Sequence, residues 1–191
     1  MTNTILVTAA SRRGTTLEVA QMIADELRRS GLPVDVLPIK AVTDLSAYSA
    51  VVIGSPVHFG QWLPEAVQFL EDHRDALSQM PVAYFTVAMT MHEDTAEARA
   101  KTMAFLDPVL AALPEIDPVG IGLFAGKMDR KALPRVEQWV ATLNGYPDGD
   151  FRNEFSIRTW ANLIRDDLTP VHAESIAWEW VYDEIALPAN L

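Results

Sequence analysis

Hydroxyl, guanidinium and glycine groups cluster directly after the first apolar run of the chain. The run Ile5–Ala9 leads into the segment Ser-Arg-Arg-Gly-Thr-Thr at residues 11–16. Thr15 and Glu18 have the spacing of a capping box, which predicts that a helix begins just after Gly14. Unpaired amides at such a helix start favour an anion, and hydroxyls and arginines add donors and charge. The chemistry predicted is a phosphate cradle formed by Ser11, Arg12, Arg13, Gly14, Thr15 and Thr16. The alternative is an ordinary strand-to-helix connection that binds nothing.

Two later segments carry residues that suit a flat ring system. One follows the third apolar run and the other follows the fourth. Phe59 offers an aromatic face for stacking, and His58 can place a charge or proton beside a redox-active ring. An exposed histidine without a role is the alternative for His58, and Trp62 is left open between a ring contact and the core. The candidate ring-binding residues are Pro56, Val57, His58, Phe59, Gly60, Ala88, Met89, Thr90 and Met91.

The elements that must position these residues alternate between strand and helix. Apolar runs predict five strands near residues 5–9, 32–38, 50–55, 81–88 and 118–124. Helical spacing predicts helices after Gly14, over 64–77, from a cap at Asp94 to 113, and over 158–168. Short links of this kind favour an α/β fold with a doubly wound parallel sheet. Ligands bind such sheets beyond the carboxyl ends of the strands, so the cradle and both ring-binding segments are expected at one crevice.

An insertion of about residues 126–150 is predicted between the fifth strand and the last helix. It combines basic residues with an apolar stripe at helical spacing, and two roles are open for it. It either docks a substrate or electron partner, or covers the sheet edge of its own domain. The tail 169–191 is predicted to contain one short helix around 176–185. The residues concerned are the basic Lys127, Arg130, Lys131 and Arg135 and the apolar Val136, Trp139, Val140 and Leu143.

Composition narrows the class of protein. The 191 residues are 49% hydrophobic, enough for one domain over 1–191 with a core at about 4–168. A net charge of -11 argues against a nucleic-acid partner. The absence of cysteine excludes disulfides, thiolate metal sites and cysteine nucleophiles, and the four histidines lack metal-ligand spacing. Without an apolar run of membrane-spanning length or a leader, a cytoplasmic protein is expected.

Three segments carry a resemblance to a known family. Ile5–Thr16, Ala50–Trp62 and Pro81–Ala88 resemble the flavodoxin family, over roughly residues 4–168. Residues 11–16, 80–85 and 158–161 further resemble the subgroup that includes the menaquinone-dependent protoporphyrinogen oxidases. The resemblance implies strand order 2-1-3-4-5 and bound FMN, with its phosphate on residues 11–16 and its ring between residues 56–60 and 88–91. Phe59 stands where many members have a stacking tyrosine.

Three functions are compatible with this pattern. The first is an FMN-dependent oxidoreductase that transfers electrons between a small organic substrate and a quinone or other acceptor, with protoporphyrinogen as one candidate substrate. The second is an electron carrier between redox partner proteins. The third is a cofactor-free interaction domain, because Ala9 and Ala10 stand where hydroxyl residues are common in the family. A pocket walled by residues 127–143 would favour the enzyme, whereas an open flavin edge ringed by acids would favour the carrier. A homo-oligomer is left open.

Overall fold

The central sheet consists of five parallel strands. A computed structural model of the protein describes residues 3–169, so the helix expected near 176–185 lies outside the described residues. The sheet order is β2-β1-β3-β5-β6, with β4 paired only to β3. Counted without β4, this is the order 2-1-3-4-5, so the predicted doubly wound fold is confirmed. The strands are β1 Thr4–Ala9, β2 Val34–Pro38, β3 Tyr48–His58, β4 Gln61–Trp62, β5 Val82–Val87 and β6 Gly120–Phe124.

Seven α-helices lie among the described residues, besides three short 3₁₀ helices. Two of the predicted helices are each divided into two. The helix expected over 64–77 breaks at His73. The helix expected to reach residue 113 breaks at Phe105 and Leu106, because Pro108 has no N–H to donate to the carbonyl four residues earlier and is accommodated only in the first turn of a new helix. The helices are α1 Thr15–Arg29, α2 Pro64–Asp72, α3 Arg74–Leu77, α4 Ala96–Ala104, α5 Asp107–Ala112, α6 Arg135–Leu143 and α7 Glu154–Ile164.

Side-chain hydrogen bonds set two helix starts differently from the sequence prediction. Thr95, rather than Asp94, caps α4, because its hydroxyl accepts from the Ala98 amide at 3.1 Å. Asp94 pairs with Arg99 instead. Asn153 caps α7 by accepting from the Ser156 amide, so this helix begins before residue 158, where its start was predicted. It ends at Ile164, before the predicted end at residue 168.

The sheet separates two apolar cores, as the alternation of side chains along a strand requires. Ile5 and Val7 pack on the side of α1 and α7, whereas Leu6 packs on the side of α2 and α5. The glycines of β6 allow a close approach of α7, since a Cβ on Gly122 would lie 2.9 Å from the Trp160 ring. Side chains at these positions would push the helix away from the sheet.

A tight hairpin extends the third strand and corrects its predicted end at Ser55-Pro56. Phe59 and Gly60 both have positive φ, at 49° and 78°, which is the geometry of a type I′ hairpin turn. The turn reverses the chain so that His58 pairs with Gln61 in antiparallel β4. β1 ends opposite Gly54, so Pro56 lies beyond the reach of that ladder and removes no hydrogen bond from it.

The insertion forms a small structure of its own between β6 and α7. The strands β7 Lys127–Met128 and β8 Gly149–Asp150 pair antiparallel, and α6 lies between them in the chain. The two ends of the insertion therefore meet at the carboxyl edge of the sheet. Over residues 3–169, the helices are too short and too polar to cross a lipid bilayer.

Candidate functional site

A cavity of about 690 Å³ opens where the carboxyl ends of β1, β3 and β5 meet, a volume typical of small-molecule sites. The cradle, the hairpin turn and the segment after β5 form three of its walls, and the insertion forms the fourth. Two predicted cofactor residues, Gly14 and Met91, do not line it. The predicted residues that do line it are Ser11, Arg12, Arg13, Thr15, Thr16, Pro56, Val57, His58, Phe59, Gly60, Ala88, Met89 and Thr90.

The cradle is held open by a left-handed glycine. Gly14 has a φ of 87° and its amide donates to the Ser11 hydroxyl at 2.9 Å, which turns the chain into α1. The predicted start of the helix is confirmed, but the predicted capping box does not form. Thr15 is the first helical residue rather than the cap, and Glu18 pairs with Lys127. The first amides of α1 have no acceptor within the helix, and their residues Thr15 and Thr16 line the cavity.

The carboxylate of Glu137, in the insertion, lies close to three side chains at the cavity rim. Arg13 Nη2 donates to Glu137 Oε2 at 2.8 Å, and Arg12 Nη1 lies 3.6 Å from Oε1. His58 Nε2 lies 3.4 Å from the same Oε1, and Arg12 also contacts the imidazole. Sequence reasoning missed Glu137, although an acid beside Arg135 in a basic insertion was the available signal.

The Glu137 carboxyl is held in its charged form. Its partial burial favours the neutral acid, but the hydrogen bonds from Arg13 and His58 outweigh this effect. The pKa of Glu137 therefore lies below its usual value. At neutral pH the rim carries a carboxylate that faces two guanidinium groups.

A second ionic cluster fixes the base of the insertion to α1. Lys127 Nζ lies 2.5 Å from Glu18 Oε2, and Arg152 contacts both Glu18 and Asp150. The hydrogen bond from Lys127 lowers the pKa of Glu18 despite the opposing effect of burial, and the charge of Arg152 lowers it further. The β7–β8 hairpin is thus anchored independently of α6.

The segment after β5 divides between the cavity and the core. Met89 lines the cavity, whereas Met91 is 4% exposed and packs as an ordinary core residue. Thr90 is fixed by a hydrogen bond of 2.6 Å between its hydroxyl and that of Thr102. The placement of Met91 in the site stays a prediction that the cavity wall does not support.

Phe59 presents its ring to the cavity. It is 60% exposed and is the non-glycine residue with positive φ among residues 3–169, a conformation that costs free energy and clusters at functional sites. The centroids of the Phe59 and His58 rings are 4.2 Å apart. The hairpin turn therefore holds an aromatic face at the mouth of the site.

Trp62, in contrast, belongs to the core. It is 3% exposed, its indole N–H donates to the Thr86 hydroxyl at 3.0 Å, and its ring packs edge-on against Tyr84. Trp62 lies on β4, and the helix begins at Pro64, where its start was predicted.

Replacing Trp62 by phenylalanine should therefore destabilise the protein without weakening ligand binding in the cavity. Trp62→Phe leaves the buried Thr86 hydroxyl without its partner, which costs about 1–3 kcal/mol of unfolding free energy in urea. Adding Thr86→Val removes the orphaned hydroxyl and should recover part of the loss. Unchanged stability together with weaker flavin binding in a titration would instead place Trp62 against the ligand.

The apolar stripe of α6 does not cover the sheet edge. Val136, Trp139 and Leu143 are each 64% exposed, whereas Val140 lines the cavity and Ala141 is buried. This contradicts the interpretation of the insertion as a cover for its own domain. Its inner side walls the cavity, together with residues that the sequence analysis did not assign to the site: Phe105, Met128, Leu133, Asn144 and Tyr146.

Histidine and carboxylate side chains do not form a metal site in the described part of the chain. Groups of three or more such residues in ligating arrangement are not found between residues 3 and 169. His92, for example, contacts the Met89 carbonyl through Nδ1 at 2.9 Å and packs edge-on against Tyr146 and Phe151.

Comparison with known proteins gives both family and fold relatives. The family model described as the flavodoxin domain matches residues 6–141. Protoporphyrinogen IX dehydrogenase (quinone) of Escherichia coli K12 is 30% identical over 84 residues, which cover 43% of this chain and 46% of that protein. The protein of the same description from Leishmania major is 28% identical over 115 residues, covering 58% and 46%. The matches thus span about half the length of these relatives.

A solved structure supports the architecture. A flavodoxin from the domain Archaea superposes with a TM-score of 0.53 at 14% identity, covering 86% of this chain and 98% of that one. At this identity the likeness concerns the fold. It agrees with the doubly wound parallel sheet of this chain.

Proposed function

Because the chain belongs to the flavodoxin domain family, we propose that it binds FMN in the cavity and acts as an oxidoreductase on a small organic substrate. The observation that carries the proposal is the meeting of the cradle, the hairpin turn and the segment after β5 around one cavity beneath the insertion. FMN, when bound, supplies the electron chemistry, and the protein supplies binding, orientation and electrostatics.

The cradle fits a phosphate group. The first amides of α1 and its positive dipole end favour an anion, and the hydroxyls of Ser11, Thr15 and Thr16 add donors. Ala9 and Ala10 do not count against this assignment. Both are 1% exposed and pack in the two cores, so a hydroxyl at either position would not face the cavity. The argument for a cofactor-free domain loses its main support.

The ring of the cofactor would lie between Phe59 and the segment after β5. Phe59 offers an exposed aromatic face, and stacked or edge-on aromatic pairs contribute about 0.5–1.5 kcal/mol beyond burial. Met89 and Ala88 line the opposite side. His58, held by Arg12 and Glu137, would place its ring beside the cofactor rather than in bulk water.

The insertion supports an enzyme rather than a carrier. Its inner side adds Met128, Leu133 and Val140 to the cavity, so an apolar substrate is enclosed next to the cofactor. We take the substrate class from the relatives' printed name: a protoporphyrinogen-like molecule that is oxidised in successive steps, each of which passes two electrons and two protons to a quinone. The electron carrier is the second candidate, because the exposed Val136, Trp139 and Leu143 beside Arg135 offer a surface for a protein partner.

The first test is the absorbance of the purified protein and its titration with FMN. Removing the hydroxyls in a Ser11→Ala/Thr15→Ala variant should weaken FMN binding by at least about tenfold, since hydrogen bonds to charged groups contribute about 1.5–3 kcal/mol each. A Ser30→Ala/Ser78→Ala variant removes two hydroxyls that do not line the cavity and should bind FMN normally.

Two outcomes would contradict the proposal. Unchanged affinity of the cradle variant would place the phosphate elsewhere, and a colourless protein that gains no flavin absorbance with FMN would exclude a flavoprotein. The reaction class is tested on the FMN-loaded protein with protoporphyrinogen IX and menadione. Failure to oxidise the porphyrinogen, with rapid electron transfer to a protein acceptor, would favour the carrier.

A further inference from the structure

The two arginines of the cradle are turned toward the insertion. Both guanidinium groups lie at the rim, with side chains 46% exposed for Arg12 and 41% for Arg13, and both lie near the carboxylate of Glu137. We propose that Arg12, Arg13 and His58 form a clasp on Glu137 that fastens the insertion over the cavity, while the phosphate is left to the amides and hydroxyls of the cradle. The inference rests on the proposed FMN site but concerns a different set of contacts.

The clasp joins three elements that are distant in sequence. Arg12 and Arg13 precede α1, His58 ends β3 and Glu137 belongs to α6. A carboxylate that accepts from a guanidinium at 2.8 Å forms a charge-assisted hydrogen bond, which is among the stronger contacts in proteins. The Glu137 side chain is only 14% exposed, so the carboxylate end of the pair is shielded from water, whereas the Arg13 side chain is 41% exposed.

The other side chains of α6 make few contacts that would hold this helix in place. The apolar residues Val136, Trp139 and Leu143 point away from the domain, and Ala141 is the buried residue of this helix. Apolar packing therefore holds α6 weakly, and Glu137 provides the polar attachment to the opposite rim. Glu137 thus acts as a positioning residue, because it sets where Val140 and Leu133 lie above the cavity.

The insertion is attached at two separate places. The cluster of Glu18, Lys127, Asp150 and Arg152 fixes its base, and the Glu137 clasp fixes its far side. Opening the clasp would release α6 while the base holds. The proposal therefore predicts a change in the roof of the cavity and none in the fold of the sheet.

The test compares Glu137→Gln with Glu115→Gln, which breaks the Arg74 ion pair away from the cavity. Hydrogen exchange of residues 135–143 is measured first in the protein without FMN. Glu137→Gln should speed exchange there at least about tenfold relative to the wild type, with residues 149–152 unchanged, and Glu115→Gln should leave both segments unchanged. Unchanged exchange of residues 135–143 in Glu137→Gln would overturn the clasp, whether or not FMN binds.

FMN binding then separates the clasp from a direct phosphate role of the arginines. If the clasp closes the roof, Glu137→Gln speeds FMN dissociation severalfold and weakens binding. If Glu137 merely occupies arginines that serve the phosphate, the same variant frees them and FMN binds more tightly, which would overturn the proposal. The exchanged pair Arg13→Glu/Glu137→Arg should restore slow hydrogen exchange, a rescue that loss of a phosphate ligand would not give.

Discussion

A single methyl group on Gly54 should destabilise the protein strongly. Gly54 lies on β3 in register with Phe85 of β5, and a Cβ built on Gly54 overlaps the Phe85 ring, which is fully buried. Overpacking of this kind costs about 1–3 kcal/mol, and more where the neighbour cannot move. We expect Gly54→Ala to lower the free energy of unfolding in urea by at least the upper end of this range. Because β3 continues into the hairpin turn at the cavity, the FMN affinity of Gly54→Ala should fall as well.

The ring itself provides the control for this prediction. Phe85→Ala alone should cost about 3–5 kcal/mol through the cavity that it leaves. In the double variant Gly54→Ala/Phe85→Ala the added methyl group enters that space, so the combined cost should be clearly smaller than the sum of the single costs. Strictly additive costs would show that the overlap with Phe85 is not what makes Gly54 necessary.

The elements of the fold that could be predicted are those that a local sequence pattern indicates. The apolar runs gave the parallel strands, because strands buried on both faces need continuous apolar sequence. The hairpin after β3 gave no such signal. Type I′ turns are marked by Asn-Gly or Gly-Gly, and Phe59 has no intrinsic preference for positive φ. The short strand β4, which contains Trp62, was consequently not predicted.

In the candidate site, too, the residues that follow a local pattern could be predicted and those that depend on long-range contacts could not. The cradle and the two ring-binding segments were found because each follows its strand directly, and the sheet brings their ends together. Glu137 was missed because its contact with Arg13 joins residues 124 positions apart in the chain. A charged residue on an amphipathic helix is expected to contact water or an oppositely charged group, but the local sequence does not indicate which group that is. The local sequence likewise does not indicate whether Val136 and Trp139 face the domain or the solvent.

The insertion can be removed at its base, and we expect this change to separate flavin binding from substrate turnover. β7 and β8 pair Met128 with Gly149, so residues 129–148 can be replaced by an Asn-Gly turn that joins the two strands. The variant keeps the ion pairs of Glu18 but loses α6, Glu137 and the apolar roof. Turnover of protoporphyrinogen IX, measured as kcat/KM, should fall at least about 100-fold, since misplacement of a substrate by about 1 Å already costs that much.

The same variant should still bind FMN, with an affinity lowered at least as far as in Glu137→Gln, because the cradle remains. Once loaded, it should pass electrons from the reduced flavin to ferricyanide at least as fast as the wild type, because the flavin edge is uncovered. Glu137→Gln is the graded comparison: it opens the clasp but keeps Leu133 and Val140, so its loss of kcat/KM should be smaller and appear mainly in KM. Retained porphyrinogen turnover without the insertion would move substrate binding away from α6. A selective loss of transfer to a protein acceptor would instead assign the exposed face at Trp139 to partner docking.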